Sequence, residues 1–246
     1  MPEGESRHLR KTLRLKAGDS CLVTDGTQRE AEAQIRDFSP TGEAQLKIEK
    51  IWDHPKMRES KLTLHAYVAI PQKGKMDWLI EKAQELSLDA IHPLETERTM
   101  VKMSREKKAS ALARWTKIAR EAAKQSGSPL LTIALPDTLE RILSGVRDNE
   151  EIVLFHPRPD ALTFRAWIDG LRQKGASLRP FRAVGPEGPL HLFFGPEGGF
   201  TNREIQMVLH KAKACLGPTL VSLGPSILKV DTAFLSVTGA LKFLFA

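Results

Sequence analysis

The sequence predicts an α/β protein built on a mostly parallel sheet, preceded by a small N-terminal β-barrel. Three observations carry this. From residue 62 onward, apolar runs alternate with stretches of helical periodicity, as in parallel sheets whose strands are joined by helices. Residues 1–61 instead hold short alternating or apolar runs separated by turn signals. Late in the chain, two apolar runs each enter a glycine-bearing turn from which a helix begins at once.

The N-terminal region contributes Cys21–Thr24 as a strand, followed by the hairpin signal Asp25-Gly26. Glu32–Asp37, the turn Ser39-Pro40-Thr41-Gly42 and Ala44–Ile51 repeat the strand–turn–strand pattern. The polar stretch His54–Ser60 reads as a linker, so the domains are expected at 1–61 and 62–246.

In the second domain Leu62–Ile70 is strand-like. Lys75–Leu86 is helical, with Met76, Leu79, Ile80, Ala83 and Leu86 on one face. Ala90–Leu94 is a short strand. Ser104 can cap a long helix to about Ser126, where Gly127 and Pro129 stop it. Leu130–Leu135 reads as a strand and Pro136–Val146 as a helix. Glu151–Phe155 is a buried strand and Asp160–Lys174 a helix. The Gly-, Pro- and Arg-rich run Gly175–Leu190 is an irregular excursion. His191–Phe194 is a strand, Thr201–Lys213 a helix opened by a Thr201/Glu204 capping box, Leu220–Leu223 a strand and Val230–Phe245 the last helix.

Composition narrows the function. Apolar residues are 41% and charged residues 27% of 246, ordinary for a globular protein large enough to bury a core without disulfides or metals. Cys21 and Cys215 lie far apart with no CxxC, which argues against structural zinc; no metal is expected. The N-terminus lacks the apolar core of a signal peptide. The longest apolar stretch, Thr232–Ala246, is too short to span a bilayer and carries Lys242, so no membrane association and a cytoplasmic location are expected. Net charge is +7, which favours polyanionic partners, nucleic acid first. The surplus concentrates between Glu97 and Pro129, with nine Lys/Arg against three acids. Such a run is either a phosphate-facing stripe or a solvated helix face.

Three segments can carry chemistry. Phe193-Phe194-Gly195-Pro196-Glu197-Gly198-Gly199-Phe200 is a strand running into a glycine-rich turn, whose backbone can approach a ligand closely; a ligand-free tight turn is the plain alternative. Val221-Ser222-Leu223-Gly224-Pro225-Ser226-Ile227-Leu228-Lys229-Val230-Asp231 repeats the arrangement. Val153-Leu154-Phe155-His156-Pro157 ends a strand at His-Pro. No GxGxxG or P-loop is present, which makes dinucleotide and nucleoside-triphosphate readings weak.

These three segments, with Val153–Pro157 upstream of the other two, resemble the ligand loops of RsmE-type methyltransferases of the SPOUT class. Ile80–Leu86, Glu97-Arg98, the run Arg114-Trp115 to Gly127, and His8-Leu9-Arg10 through Asp19 resemble further family segments, so the likeness covers almost the whole chain. The resemblance implies a trefoil-knotted methyltransferase domain, a PUA-like N-terminal barrel, a homodimer, and S-adenosylmethionine held by Leu154, His156, Phe194, Gly195, Pro196, Glu197, Gly198, Gly199, Leu223, Gly224, Pro225, Ile227 and Leu228. It implies methylation of uridine N3 in 16S ribosomal RNA of the small subunit. The expected catalytic groups are Arg98 and secondarily Lys229, as cations facing the developing uracil anion, with Glu121 and Asp231 as base or orienting carboxylates. Arg10, Arg14, Lys16, Arg98, Lys102 and Arg114 are expected to hold RNA. The chain departs from the family pattern at Ser226 and Lys229, where arginines are usual, at Val230 and Asp231 in place of Thr and Glu, and at Ser128 in place of Arg. These departures leave two alternatives: a SPOUT enzyme acting on another base or a ribose 2′-hydroxyl, or a non-catalytic RNA-binding ribosome-assembly protein.

Overall fold

The computed structural model describes residues 1, 3–24, 29–53, 62–72, 74–100, 102–148, 150–177, 188–214 and 219–245. The Asp25-Gly26 turn, the His54–Ser60 linker, most of the 175–190 excursion and Cys215 lie outside them. The chain divides into two compact units, Met1–Arg58 and Glu59–Ala246.

The first unit opens with a helix where only strands were expected. α1 (Glu3–Arg7) continues into a π-turn over His8–Thr12, closed by the Leu13 amide donating to the His8 carbonyl at 3.1 Å. Strands β1 (Ser20–Thr24), β2 (Arg29–Phe38) and β3 (Ala44–Asp53) pair antiparallel in that order. The helix is tied to the sheet through Ser6. Its buried hydroxyl accepts the Ala44 amide at 2.8 Å and donates to the Met1 carbonyl at 3.2 Å. Leu9, Ile35 and Ala44 form the small core beneath.

The second unit is an eight-stranded sheet with β4 (Leu64–Ala69), β5 (Ala90–Glu95), β6 (Thr132–Ile133), β7 (Asp137–Thr138), β8 (Glu151–Phe155), β9 (Leu162–Thr163), β10 (Leu190–Phe194) and β11 (Thr219–Ser222). Its order is β6-β5-β4-β10-β8-β11-β9, with β7 also on β5, and every pairing is parallel. Helices cover both faces, as parallel strands require. α2 (Lys75–Glu85), α3 (Arg105–Ser126), α5 (Phe164–Ser177) and α7 (Val230–Leu244) pack on one face through Leu79, Trp115, Trp167 and Phe234. α4 (Leu139–Gly145) and α6 (Asn202–Ala214) pack on the other through Leu139 and Ile205.

The local signals act as expected at several ends. Ser104 accepts the Lys107 amide, and Gly127 takes the left-handed conformation (φ 68°) that ends α3. At α6 the Thr201 hydroxyl accepts the Glu204 amide at 3.3 Å, while Glu204 accepts the Thr201 amide at 2.8 Å. Two boundaries differ. The expected helix from Pro136 starts at Leu139, because Asp137 and Thr138 first pair with β5. The helix expected from Asp160 starts at Phe164, because Leu162 and Thr163 pair with β11.

β11 lies between β8 and β9, two strands already joined by residues 156–161 alone. Phe155 and Leu162 are both level with Val221. The segment 156–161 therefore bridges β11 from one side to the other, and the His156 amide donates to the Val221 carbonyl at 3.0 Å. Strand insertion between sequentially joined neighbours is uncommon in ordinary α/β sheets.

The α4/α6 face also buries a polar cluster. Tyr67 stacks between His92 (ring centroids 4.3 Å) and Phe193 (4.4 Å). The Tyr67 hydroxyl meets His191 Nδ1 at 2.9 Å, and His191 Nε2 meets Glu150 Oε2 at 3.0 Å. Burial is the main cause that lowers His92 and His191 to about 4.

Candidate active site

In parallel sheets ligands bind beyond the carboxyl ends of the strands. There the loops after β8, β10 and β11 converge on a cleft of about 240 Å³. Its walls are Phe155, His156 and Pro157 from the first loop and Phe194 through Gly199 from the second. Leu223, Gly224, Ser226, Ile227 and Leu228 come from the third, with Val230 and Ala233 from the start of α7.

The second loop needs its glycines for two separate reasons. A Cβ on Gly195 would sit 2.9 Å from the buried Phe200 ring. Gly199 has φ +68° and closes a tight turn, its amide donating to the Pro196 carbonyl at 2.8 Å. The cleft combines glycine backbone with the apolar side chains of Phe155, Leu223 and Leu228, which suits a flat heterocycle with polar edges. Ile227 is 85% exposed, an apolar side chain at the open edge of this cleft.

Of the expected cofactor residues, His156, Phe194, Gly195, Pro196, Glu197, Gly198, Gly199, Leu223, Gly224, Ile227 and Leu228 line the cleft. Leu154 does not. Alternation along β8 turns it to the α4/α6 face, where it packs in that core, while its neighbour Phe155 faces the cleft. Pro225 is exposed and not part of the lining. Phe155, Pro157 and Ser226, within the same loops, also line it, and Val230 and Ala233 of α7 are additions to the expected set.

Arg98 stands at the rim, its guanidinium donating to the Gly198 carbonyl at 2.6 Å. Burial, then the charges of Arg158 and Arg98, hold the His156 imidazole below its usual range, so it is neutral at physiological pH. Arg158 is itself clamped to Asp160 by two hydrogen bonds of 2.8 and 2.9 Å. Glu197 Oε1 accepts the Gln72 amide at 3.4 Å.

The other expected catalytic groups divide. Asp231, in the first turn of α7 between two lining residues, accepts Lys75 Nζ at 2.8 Å. That contact holds its carboxyl below the usual range. Lys229 is exposed at the N-cap of α7. Glu121 is on the solvent side of α3, paired with Lys124 at 3.0 Å, and is no part of the cleft lining.

Of the expected RNA contacts, Lys102 is exposed, and Arg114 pairs with Asp77 at 2.9 Å while remaining exposed. In the first unit Arg10 lies over the Phe38 ring at 5.6 Å, and Arg14 and Lys16 are exposed.

Ser128 has a structural task. Its hydroxyl donates to the Gln84 carbonyl at 2.9 Å and accepts from the Gln84 side chain at 2.7 Å. The fully buried Gln84 amide also bonds Pro129 and Leu131. The departure at 128 thus joins the end of α3 to α2.

A parallel sheet with glycine-bearing loops gathered at its strand ends, beside an N-terminal antiparallel unit, is the build of SPOUT RNA methyltransferases. Residues 58–242 match the RNA methyltransferase domain family and residues 2–51 the RNA methyltransferase PUA domain; the chain belongs to this RNA methyltransferase family. It is 27% identical over 244 residues to the ribosomal RNA small subunit methyltransferase E of Bacillus subtilis, covering 97% of this chain and 87% of that one. The Synechocystis protein of the same name is 33% identical over 227 residues, 92% of this chain and 66% of that one. The Neisseria gonorrhoeae methyltransferase E, solved bound to S-adenosyl methionine, superposes with a TM-score of 0.76 at 25% identity, covering 100% of this chain and 91% of that one.

Proposed function

We propose that this protein transfers a methyl group from S-adenosylmethionine to N3 of a uridine in 16S ribosomal RNA of the small subunit. The observation that carries this reading is the cleft formed by the 155–157, 194–199 and 223–228 loops at the carboxyl ends of β8, β10 and β11. It fits the cofactor by its chemistry, with apolar Phe155, Leu223 and Leu228 for an adenine ring and close-approaching backbone at Gly195 and Gly199. When bound, S-adenosylmethionine supplies a methyl group on an electrophilic sulfonium.

The residues do the rest. His156, neutral in this pH range, adds no like charge beside a sulfonium. Uridine N3 gives its proton to the Asp231 carboxylate as the N3–CH3 bond forms. Transfer of that methyl group would leave the electron pair of the S–CH3 bond on sulfur. Arg98 faces the anion spread over the uracil carbonyls; one preorganised cationic donor of this kind is worth about 3 kcal/mol of barrier. Lys229 adds a second cation at the same edge. In this reading residues 1–61 form an RNA-holding PUA unit and 62–246 the methyltransferase. Arg10, Arg14, Lys16, Lys102 and Arg114 hold phosphates, so affinity falls with salt.

The working form is a homodimer in the cytoplasm. Phe243, 80% exposed, and Leu244 beside it leave an apolar end on α7, which a second copy would cover. Among the described residues no helix is long and apolar enough to cross a membrane.

The test uses ribosomes from a strain lacking this gene, incubated with the purified protein and S-adenosylmethionine and digested to nucleosides for mass spectrometry. New 3-methyluridine in small-subunit RNA is the expected result. The substitutions at 226 and 229–231 favour one second reading, a different methylated position, and the same digest would then show another methylated nucleoside.

A further inference from the structure

Lys75 breaks a local rule. It is the first residue of α2, behind Gly74 (φ 70°) and without a side-chain cap, so a cation sits at the positive end of a helix dipole. Such a placement is locally unfavourable and asks for a partner. The partner is Asp231, 156 residues later in the first turn of α7, at 2.8 Å. Asp231 obeys the rule that Lys75 breaks, an acid at a helix start.

Lys75 engages only one of the two carboxylate oxygens. Asp231 Oδ1 is buried with no hydrogen-bond partner, whereas Oδ2 takes the ammonium. A buried acceptor left unpaired is destabilising, so a donor belongs there. Val230 and Ala233, on either side of Asp231 in sequence, line the cleft, while Asp231 stands behind them and is not itself part of the lining. The same β4–α2 connection reaches the glycine-rich loop as well, through the Gln72 amide on Glu197 at 3.4 Å. The connection thus touches the second cleft loop, and the helix it opens touches the start of α7.

We infer that Lys75 is a positioning residue for methyl transfer: it fixes Asp231 by one oxygen so that the other receives the N–H of the target base. This rests on the reading of the cleft given above. Lys75 touches neither base nor cofactor in this role. It contributes through the orientation of Asp231, and its loss lowers turnover while leaving both binding steps nearly intact.

The experiment is a double-mutant cycle in the methyl-transfer assay, with Lys75→Met, Lys75→Arg, Asp231→Asn and the Lys75→Met/Asp231→Asn pair, and with cofactor affinity measured by calorimetry. Lys82→Met, which removes a surface ion pair with Glu81 and Glu85 on the same helix, is the folding control and keeps wild-type turnover. The expected result for Lys75→Met is a kcat at least tenfold lower, with KM for RNA and Kd for S-adenosylmethionine within threefold of wild type. Lys75→Arg restores kcat to within about threefold, and Lys75→Met adds nothing to the loss already caused by Asp231→Asn. An active wild type with Lys75→Met turning over within twofold of it refutes the positioning role, as does a Lys75→Met loss that multiplies that of Asp231→Asn. A wild type that methylates no RNA refutes the underlying reading, and the role of Lys75 falls with it.

Discussion

Acid should unfold this protein through its buried histidines, and His92 is the one to remove. Its ring stacks on Tyr67 at 4.3 Å, its Nε2 is buried without a partner, and burial with the charges of His65 and His191 lowers it from 6.5 to about 4. His191 is lowered similarly, but it has Glu150 at 3.0 Å to receive a charged ring. In the unfolded chain each histidine takes its proton near 6.5, in the folded chain only near 4. The unfolded state therefore binds more protons in this window and gains as the pH falls. The stability is whole above pH 6.5 and is lost as the pH drops toward 4. Between pH 7 and pH 5 one such histidine costs about 2 kcal/mol, and the two together about 4 as an upper figure. His92→Phe keeps the stack and removes an unpaired buried nitrogen, so at pH 7 its stability stays within about 1 kcal/mol of wild type. Urea unfolding at pH 7, 6 and 5 measures both proteins. Wild type should lose about 2 kcal/mol more than His92→Phe across that range. Parallel losses in the two proteins would refute the reasoning.

Three further outcomes follow from the cleft and the fold. Leu154→Ala, in the α4/α6 core, should cost about 2–4 kcal/mol in denaturant unfolding yet leave calorimetric affinity for S-adenosylmethionine within threefold, since the side chain faces away from the cleft. Gly195→Ala drives a Cβ into the Phe200 ring at 2.9 Å and should cost about 1–3 kcal/mol and weaken cofactor binding at least tenfold by calorimetry. Arg98→Ala removes the rim cation and should lower kcat about 100-fold in the methyl-transfer assay, with cofactor affinity far less affected.

Much of this arrangement is written locally. Ser104, Gly127 and the Thr201/Glu204 pair mark helix ends because capping depends on residues three positions apart. The apolar runs at 151–155 and 191–194 mark buried strands for the same local reason. β7 and β9 escape notice because two residues carry no periodicity, and their strand character comes only from β5 and β11. Leu154 misleads because a strand buried on both faces shows no polar alternation to say which side chain meets the cleft. Within the cleft the glycines were legible, since a strand-to-helix turn needs them. Lys75 and Asp231 were not a pair in any sequence pattern, for only folding brings positions 156 residues apart to 2.8 Å. Glu121 sits in a helix that resembles a family segment, yet its rotational position on α3 sends it to Lys124 and solvent.

The place of β11 between β8 and β9 also sets a timetable. β9 has β11 as its partner in the sheet, and the His156 amide is held by Val221. While the chain is being made, Leu162 and Thr163 have no strand partner among the described residues until residues 219–222 have emerged. At about 5–20 residues per second that interval lasts roughly 3–13 seconds. Throughout it, the first cleft loop lacks its hydrogen bond to Val221 and the apolar side chains that meet α7 wait uncovered. The cleft is thus complete only once its third loop and the start of α7 have been made, although two of its walls precede them in the chain.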